Sequence, residues 1–272
     1  MSNVTTTHGA GHNEVLYEIE DGHIALITLN APERMNTISG PMLGELTRLL
    51  VQANEDKAVR CVILTAVGRA FCAGLDLRQE RDGEGISSAS SSTNLDLRNT
   101  PPTVMFEMDK PIICAINGGA AGYGMDTALG CDIRIMAESA KMAAAFVKRG
   151  VVPESGGTWF LPRMIGWAKA SELIFTGRTL SARECLEWGL ANEVVADGEL
   201  MGRARAVARE IAGNAPLAVQ AAKRMMRMGL NEAFKDHVHH VYLQLLPLFR
   251  TEDMKEGVRA FMEKREPKFS GK

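Results

Sequence analysis

Two stretches decide the reading of this chain: "VILTAVGRAFCAGLD" at residues 62–76 and "ICAINGGAAGYGMD" at residues 113–126. Each begins as an apolar run suited to a buried strand and ends in small residues and glycines. The second turn leads straight into "MDTALGCD" (125–132), which has a helical look. A bare turn lets something approach its backbone, and a helix start offers unpaired N–H groups and a partial positive charge. Two such turns facing one another could stabilise negative charge developing on a carbonyl oxygen. Either turn alone is equally well read as tight packing of a strand against a helix. "GGAAGYG" does not fit the GxGxxG dinucleotide turn, no Walker lysine follows it, and there is no GxSxG nucleophile elbow anywhere in the chain.

Working outward, "VLYEIEDGHIALITLN" (15–30) gives two β-rich runs around Asp21-Gly22, a hairpin signal. "NAPERMNTIS" (30–39) reads as a loop. Ser39 then caps a helix over "GPMLGELTRLLVQANED", whose leucines recur at helical spacing. "VRCVILTA" and "KPIICAIN" read as buried strands, and "IRIMAE" and "KMAAAF" as two shorter ones. The polar segment 79–95, rich in Ser, Gly and charge, reads as a surface loop or lid. From Gly156 onward nearly everything has helical spacing, including "ARECLEWGL", "ELMGRARAVAREIAGN", "PLAVQAAKRMMRMG" and "NEAFKDHVHHVYLQLLPLF". Strands first and helices last predict an α/β core with a C-terminal helical section.

The bulk numbers exclude several classes. The 272 residues suffice for one large domain or a domain with a helical appendage. A 46% hydrophobic and 24% charged composition is that of an ordinary globular protein. A net charge of −2 offers no broad attraction to nucleic acid or an anionic membrane. Five cysteines without a CxxC pair read as reduced thiols. The polar start "MSNVTTTHGAGHNE" has no apolar signal core, and no run approaches a membrane span, so a cytoplasmic protein is expected. "HVHH" puts only His237 and His240 on one helix face, and no carboxylate completes a metal set; a packed or surface pair is the expectation.

In these motifs the sequence resembles the crotonase, or enoyl-CoA hydratase/isomerase, superfamily over about residues 14–270. The resemblance is carried by "LNAPERMNTIS", "VILTAVGRAFCAGLDL", "KPIICAINGGAAGYGMDTALGCDIRIM", "GVVPESGGTWFLPRMIG", "TGRTLSARECLEWGLANEVV" and "FMEKREPKFSG", in that order. It implies an α/β fold, a crotonase-like spiral of ββα units with a C-terminal helical section. The implied division is a flexible tail over 1–13, a spiral core over 14–200 and a helical trimerisation region over 201–272. It also implies a homotrimer or dimer of trimers, an acyl-CoA thioester as substrate, and no cofactor beyond the coenzyme A of that substrate.

The resemblance assigns roles residue by residue. The backbone N–H groups of Leu75 and Tyr123 are implied as the oxyanion donors. Of the two glutamates that the hydratases use, the first falls on Asp126 and the second on Phe146, so the second is missing here. A third acidic position, used by some isomerases and hydrolases, falls on Glu154, the first choice for general base. Phe146, Trp159 and Phe160 are expected around that carboxylate, where desolvation would raise its pKa. Arg34, Met35, Ala73, Asp76, Leu77 and Arg78 are implied on the coenzyme side, and Lys264, Lys268 and Phe269 in the tail that reaches its phosphates. The plainer readings are a helix-start acid for Glu154 and Asp126 and solvated surface charges for the lysines. Three functions follow: an enoyl-CoA isomerase or hydratase, an acyl-CoA thioester hydrolase, and a non-catalytic scaffold or RNA-binding member of the fold.

Overall fold

The computed structural model of the protein describes residues 13–76 and 100–272. The tail read over 1–13 lies outside the described residues except for Asn13. The segment 79–95, with Leu77 and Arg78, lies outside them entirely.

The chain opens with strands β1 (Val15–Glu20) and β2 (Ile24–Leu29), paired antiparallel through Asp21 and Gly22 at φ 51° and 73°. Positive φ at both turn residues matches the twist of the strands, which is why Asp-Gly marks a hairpin. Helix α1 (Gly40–Glu55) starts at Ser39, whose Oγ accepts the Met42 N–H at 3.2 Å. From there the chain winds alternately between two sheets. Strand β3 (Cys61–Ala66) joins the larger sheet and β4 (Ala70–Cys72) the smaller. Helix α2 (Pro101–Glu107) leads to the next pair, β5 (Ile112–Ile116) and β6 (Gly119–Ala121), and then to helix α3 (Tyr123–Leu129). Strands β7 (Ile133–Ala137) and β8 (Lys141–Ala143) repeat the step, followed by helix α4 (Gly157–Thr176).

The larger sheet has the order β1-β2-β3-β5-β7-β10, parallel from β2 onward; the smaller has the order β4-β6-β8-β9. Every residue of β3 and β5 is buried, as expected of central parallel strands covered on both faces. Because β4, β6 and β8 are parallel neighbours, their C-terminal ends gather on one edge. That edge is where the two glycine turns meet.

The reading of the chain after Gly156 as helix misses two strands. β9 (Thr179–Ser181) extends the smaller sheet, and β10 (Glu193–Val195), reached through helix α5 (Ala182–Trp188), completes the larger one beside β7. Three residues are too few to express a period of two. Helix α2 is also absent from the sequence reading; its Pro101-Pro102 start is a favoured helix entry. Helix α6 (Leu200–Ala212) packs on β3, β5 and β7, so the first helix of the 201–272 segment covers the sheet. Helices α7 (Pro216–Gly229), α8 (Phe234–Leu248) and α9 (Glu252–Glu263) follow it.

The loop 30–39 is fastened by one buried side chain. Asn36, with no exposed surface, donates to the carbonyls of Val67 and Ala70 at 2.9 and 2.8 Å and accepts the Ala31 N–H at 2.7 Å. This loop in turn carries the strand-like partner of residues 73–76. Asn36→Ala takes this partner from two buried polar groups, the Ala31 N–H and the Ala70 carbonyl, each worth about 1–3 kcal/mol, and from the part-buried Val67 carbonyl. Urea unfolding should therefore show a loss of at least ~2 kcal/mol.

Candidate active site

The segment after β4 is held from one side only. Ala73 N–H donates to Met35 O at 3.1 Å, Ile38 N–H to Gly74 O at 2.8 Å and Asp76 N–H to Ile38 O at 3.0 Å. Ile38 and Leu75 thus form a parallel bridge. In such a bridge the carbonyl of residue 74 and the amide of 76 point to the partner, so the N–H of Leu75 points away from it. That N–H has no partner among the described residues. Gly74, at φ 111°, makes the turn, and a Cβ built on it would lie 3.2 Å from Ala121 O and 4.0 Å from the Tyr123 nitrogen. The two turns therefore face each other across a glycine.

The second turn presents Tyr123 as the first residue of α3. Gly122 N–H is taken by Ala143 O at 3.0 Å, whereas the Tyr123 N–H has no partner among the described residues, as a first-turn amide is expected to lack one. Gly124 explains how α3 comes so close: a Cβ there would sit 2.2 Å from the carbonyl oxygen of Cys72. Two unpaired N–H groups on apposed turns are suited to an oxygen that becomes negatively charged.

The turns open on a cavity of about 300 Å³, lined by Arg34, Met35, Thr37, Ala73 to Asp76, Gly122, Tyr123, Ala145, Phe146, Arg149, Val151 and Glu154. Its walls come from the ends of β4, β6 and β8 and from the 34–37 loop. Sequence reasoning brought Arg34, Met35, Ala73, Leu75, Asp76, Tyr123, Phe146 and Glu154 to one place, and the structure does the same. Arg34 is tied to Glu14 at 2.7 Å and to Thr37 O at 3.2 Å, so its guanidinium braces the cavity rim. Thr37, Ala145, Arg149 and Val151 were missed; the signal available was their place beside the glycine turns and the Pro153 turn.

The acids divide sharply. Glu154 stands on the wall in an exposed turn, and partial desolvation pushes its carboxyl above the usual range. Asp126, expected beside it, has no exposed surface and does not line the cavity. Its Oδ2 accepts the Ser155 N–H at 3.2 Å, and its Oδ1 lies against Gly157 without a hydrogen bond of full geometry. Burial pushes Asp126 up to about 7; the Gly157 N–H pulls it down, the Glu154 charge raises it, and the Ser155 N–H lowers it.

Four further expectations fall elsewhere. Trp159 does not line the cavity: it packs edge-on against Phe106 and Phe160 at 5.2 and 5.1 Å, under the Arg163 guanidinium at 4.0 Å. Lys264 and Lys268 are exposed, and Phe269 lies against Gly257 with its carbonyl taken by Arg60 at 2.8 Å; none of the three lines the cavity of its own chain. His237 and His240 do share a face, but a carboxylate outside the motif meets both: Glu232 lies 2.9 Å from each Nδ1. Among the described residues no group of three or more His, Cys, Asp or Glu side chains is placed to hold a metal, and no helix is long and apolar enough to cross a membrane.

The sequence matches the family model for enoyl-CoA hydratase/isomerase over residues 19–272. The chain is 38% identical over 261 residues to the 1,2-epoxyphenylacetyl-CoA isomerase of Escherichia coli, covering 95% of this chain and 98% of that protein. It is 37% identical to the (E)-benzylidenesuccinyl-CoA hydratase of Thauera aromatica, covering 92% and 96%. A solved structure, the enoyl-CoA hydratase from Bacillus anthracis, superposes with a TM-score of 0.88 at 36% identity, covering 95% of this chain and all of that one.

The raised Asp126 pKa sets a testable pH dependence. The folded state holds a proton on Asp126 up to about pH 7, whereas an unfolded aspartate releases it near 3.8. Between these values the folded state binds more protons, so this group's contribution to stability falls as pH rises. Melting temperatures measured for wild type and Asp126→Asn from pH 4.5 to 8 should show wild type losing ground steadily and levelling off above about 7. A constant difference would contradict the buried, proton-retaining carboxyl.

Proposed function

The chain belongs to the enoyl-CoA hydratase/isomerase family, and we propose that it moves a proton along an enoyl-CoA thioester, with Glu154 as base and the N–H groups of Leu75 and Tyr123 as the oxyanion hole. The observation that carries the reading is the pairing of an exposed glutamate with an apolar side chain: Glu154 and Phe146 line the same cavity beside the two unpaired N–H groups. The fold and the names of relatives, both isomerase and hydratase, support the substrate class.

The steps follow from these residues. The thioester oxygen accepts from Leu75 and Tyr123. The Glu154 carboxylate takes a proton from C2 of a 3-enoyl thioester, and the electron pair moves into the C1–C2 bond as charge develops on the oxygen. The two N–H donors stabilise that dienolate. Glu154, now neutral, returns the proton to C4, and the double bond comes to lie between C2 and C3. A carboxylate above its ordinary pKa is a stronger base and, once protonated, is still acid enough for the return step. Hydration asks for a second polar group to hold water at the β-carbon, and Phe146 offers none. Isomerisation is thus the favoured member of the pair, and it needs no cofactor beyond the substrate's own coenzyme A.

We also propose that α7, α8 and α9 form the assembly surface of a trimer or dimer of trimers. Phe234, Phe261, Met262 and Met226 are each at least three-quarters exposed there, which is a large apolar area for one chain to leave in water. Sedimentation at micromolar concentration should give a trimer or hexamer; a monomer would remove the proposal.

The chemistry is checked with a panel of 2-enoyl-, 3-enoyl- and 3-hydroxyacyl-CoAs. Turnover of a 3-enoyl ester should outpace hydration of a 2-enoyl ester. Glu154→Gln should lose at least ~100-fold in kcat while CoA esters still raise the melting temperature. Fast hydration that survives Glu154→Gln would overturn the assignment.

A further inference from the structure

We propose that Asp126 is a positioning residue: from inside α3 it fastens the turn that presents Glu154, and so sets the base in register with the Tyr123 N–H on the same helix. The inference rests on the proposed role of Glu154 and adds to it a reason why the base is where it is.

Three observations carry it. First, Asp126 has no exposed surface and no part in the cavity wall. A group that exchanges a proton with substrate must come within hydrogen-bond reach of it. The glutamate that the resemblance puts at this position is here one methylene shorter. Second, its Oδ2 accepts the N–H of Ser155, the residue directly after Glu154, at 3.2 Å. The hydrogen bond acts on the backbone of the turn, beneath the side chain that does the chemistry. Third, the turn is shaped to the carboxylate. A Cβ on Gly157 would lie 2.3 Å from Asp126 Oδ1 and 2.9 Å from Pro153 Cβ, and Gly156 sits at φ 109°. The turn can settle on Asp126 only because residue 157 has no side chain.

The geometry links both halves of the reaction. Tyr123 opens α3 and Asp126 lies one turn further along the same short helix. The carboxylate that holds Ser155 is therefore rigidly related to one oxyanion donor. An error of about 1 Å between base and reacting carbon can cost about 100-fold in rate, so a fixed distance between α3 and the turn is worth a buried carboxyl group.

The test uses the full chain, a 3-enoyl-CoA substrate and three variants. Asp126→Asn keeps an oxygen that can accept from Ser155, and kcat should stay within about tenfold of wild type. Asp126→Ala removes the acceptor, and kcat should fall by ~100-fold with KM little changed. Gly157→Ala puts a methyl group where Asp126 Oδ1 stands, parts the carboxyl from the turn, and should resemble Asp126→Ala. Amide hydrogen exchange over 150–160 gives a readout independent of turnover. Protection of this segment should persist in Asp126→Asn and drop in Asp126→Ala. A loss in Asp126→Asn as deep as in Glu154→Gln would mean that Asp126 itself carries a proton, and would overturn the proposal. So would unchanged exchange in Asp126→Ala. If wild type turns over no enoyl-CoA, the proposed reaction fails, while exchange still decides whether Asp126 holds the turn.

Discussion

A side chain of any size at residue 124 would drive into the carbonyl oxygen of Cys72, 2.2 Å from where its Cβ would stand. The rest of the site depends on that close approach. It lets α3 press against the end of β4, which sets the Tyr123 N–H opposite the Leu75 N–H. The other face of the 73–76 segment is fixed by the Ile38 bridge, so its remaining N–H has only one direction to point. The 34–38 loop that makes the bridge is fastened by Asn36 and braced by Arg34 against Glu14.

Asp126 and Glu154 share a direction of pKa shift but have it for different reasons. Asp126 is sealed, and its shift is the cost of charge in an apolar interior, relieved in part by two backbone N–H groups. Glu154 is in contact with water and is only partly desolvated. The Glu154 charge also helps to keep the proton on Asp126.

Much of this was legible in the sequence wherever a local rule applies. Asp21-Gly22 marks its hairpin, Ser39 its cap, and the all-apolar runs their buried strands. The glycine turns announce a backbone that something approaches. What was not legible is tertiary. Strands β9 and β10 are three residues each, and only their neighbours make them strands. Asp126 and Glu154 look alike as helix-start acids, and nothing along the chain says that one is sealed and the other open. Trp159 sits beside the right motif, yet its helix turns it towards Phe106 rather than the cavity. Arg34 carries a charge suited to a phosphate, but Glu14, twenty residues earlier, already holds it.

The way the chain winds between its two sheets has a consequence for how such a protein can change. Each pass contributes one strand end to the cavity edge, so the wall is assembled from separate pieces. The piece between β8 and α4 supplies Phe146, Arg149, Val151 and Glu154, and is held at its margins by the ladder to β6 and by the seat of Ser155 on Asp126. Between those anchors most of its side chains reach solvent. It is in effect an exchangeable cassette: apart from Glu154, its sequence can change the shape of the cavity wall while the Leu75 and Tyr123 amides, which belong to the earlier passes, stay as they are.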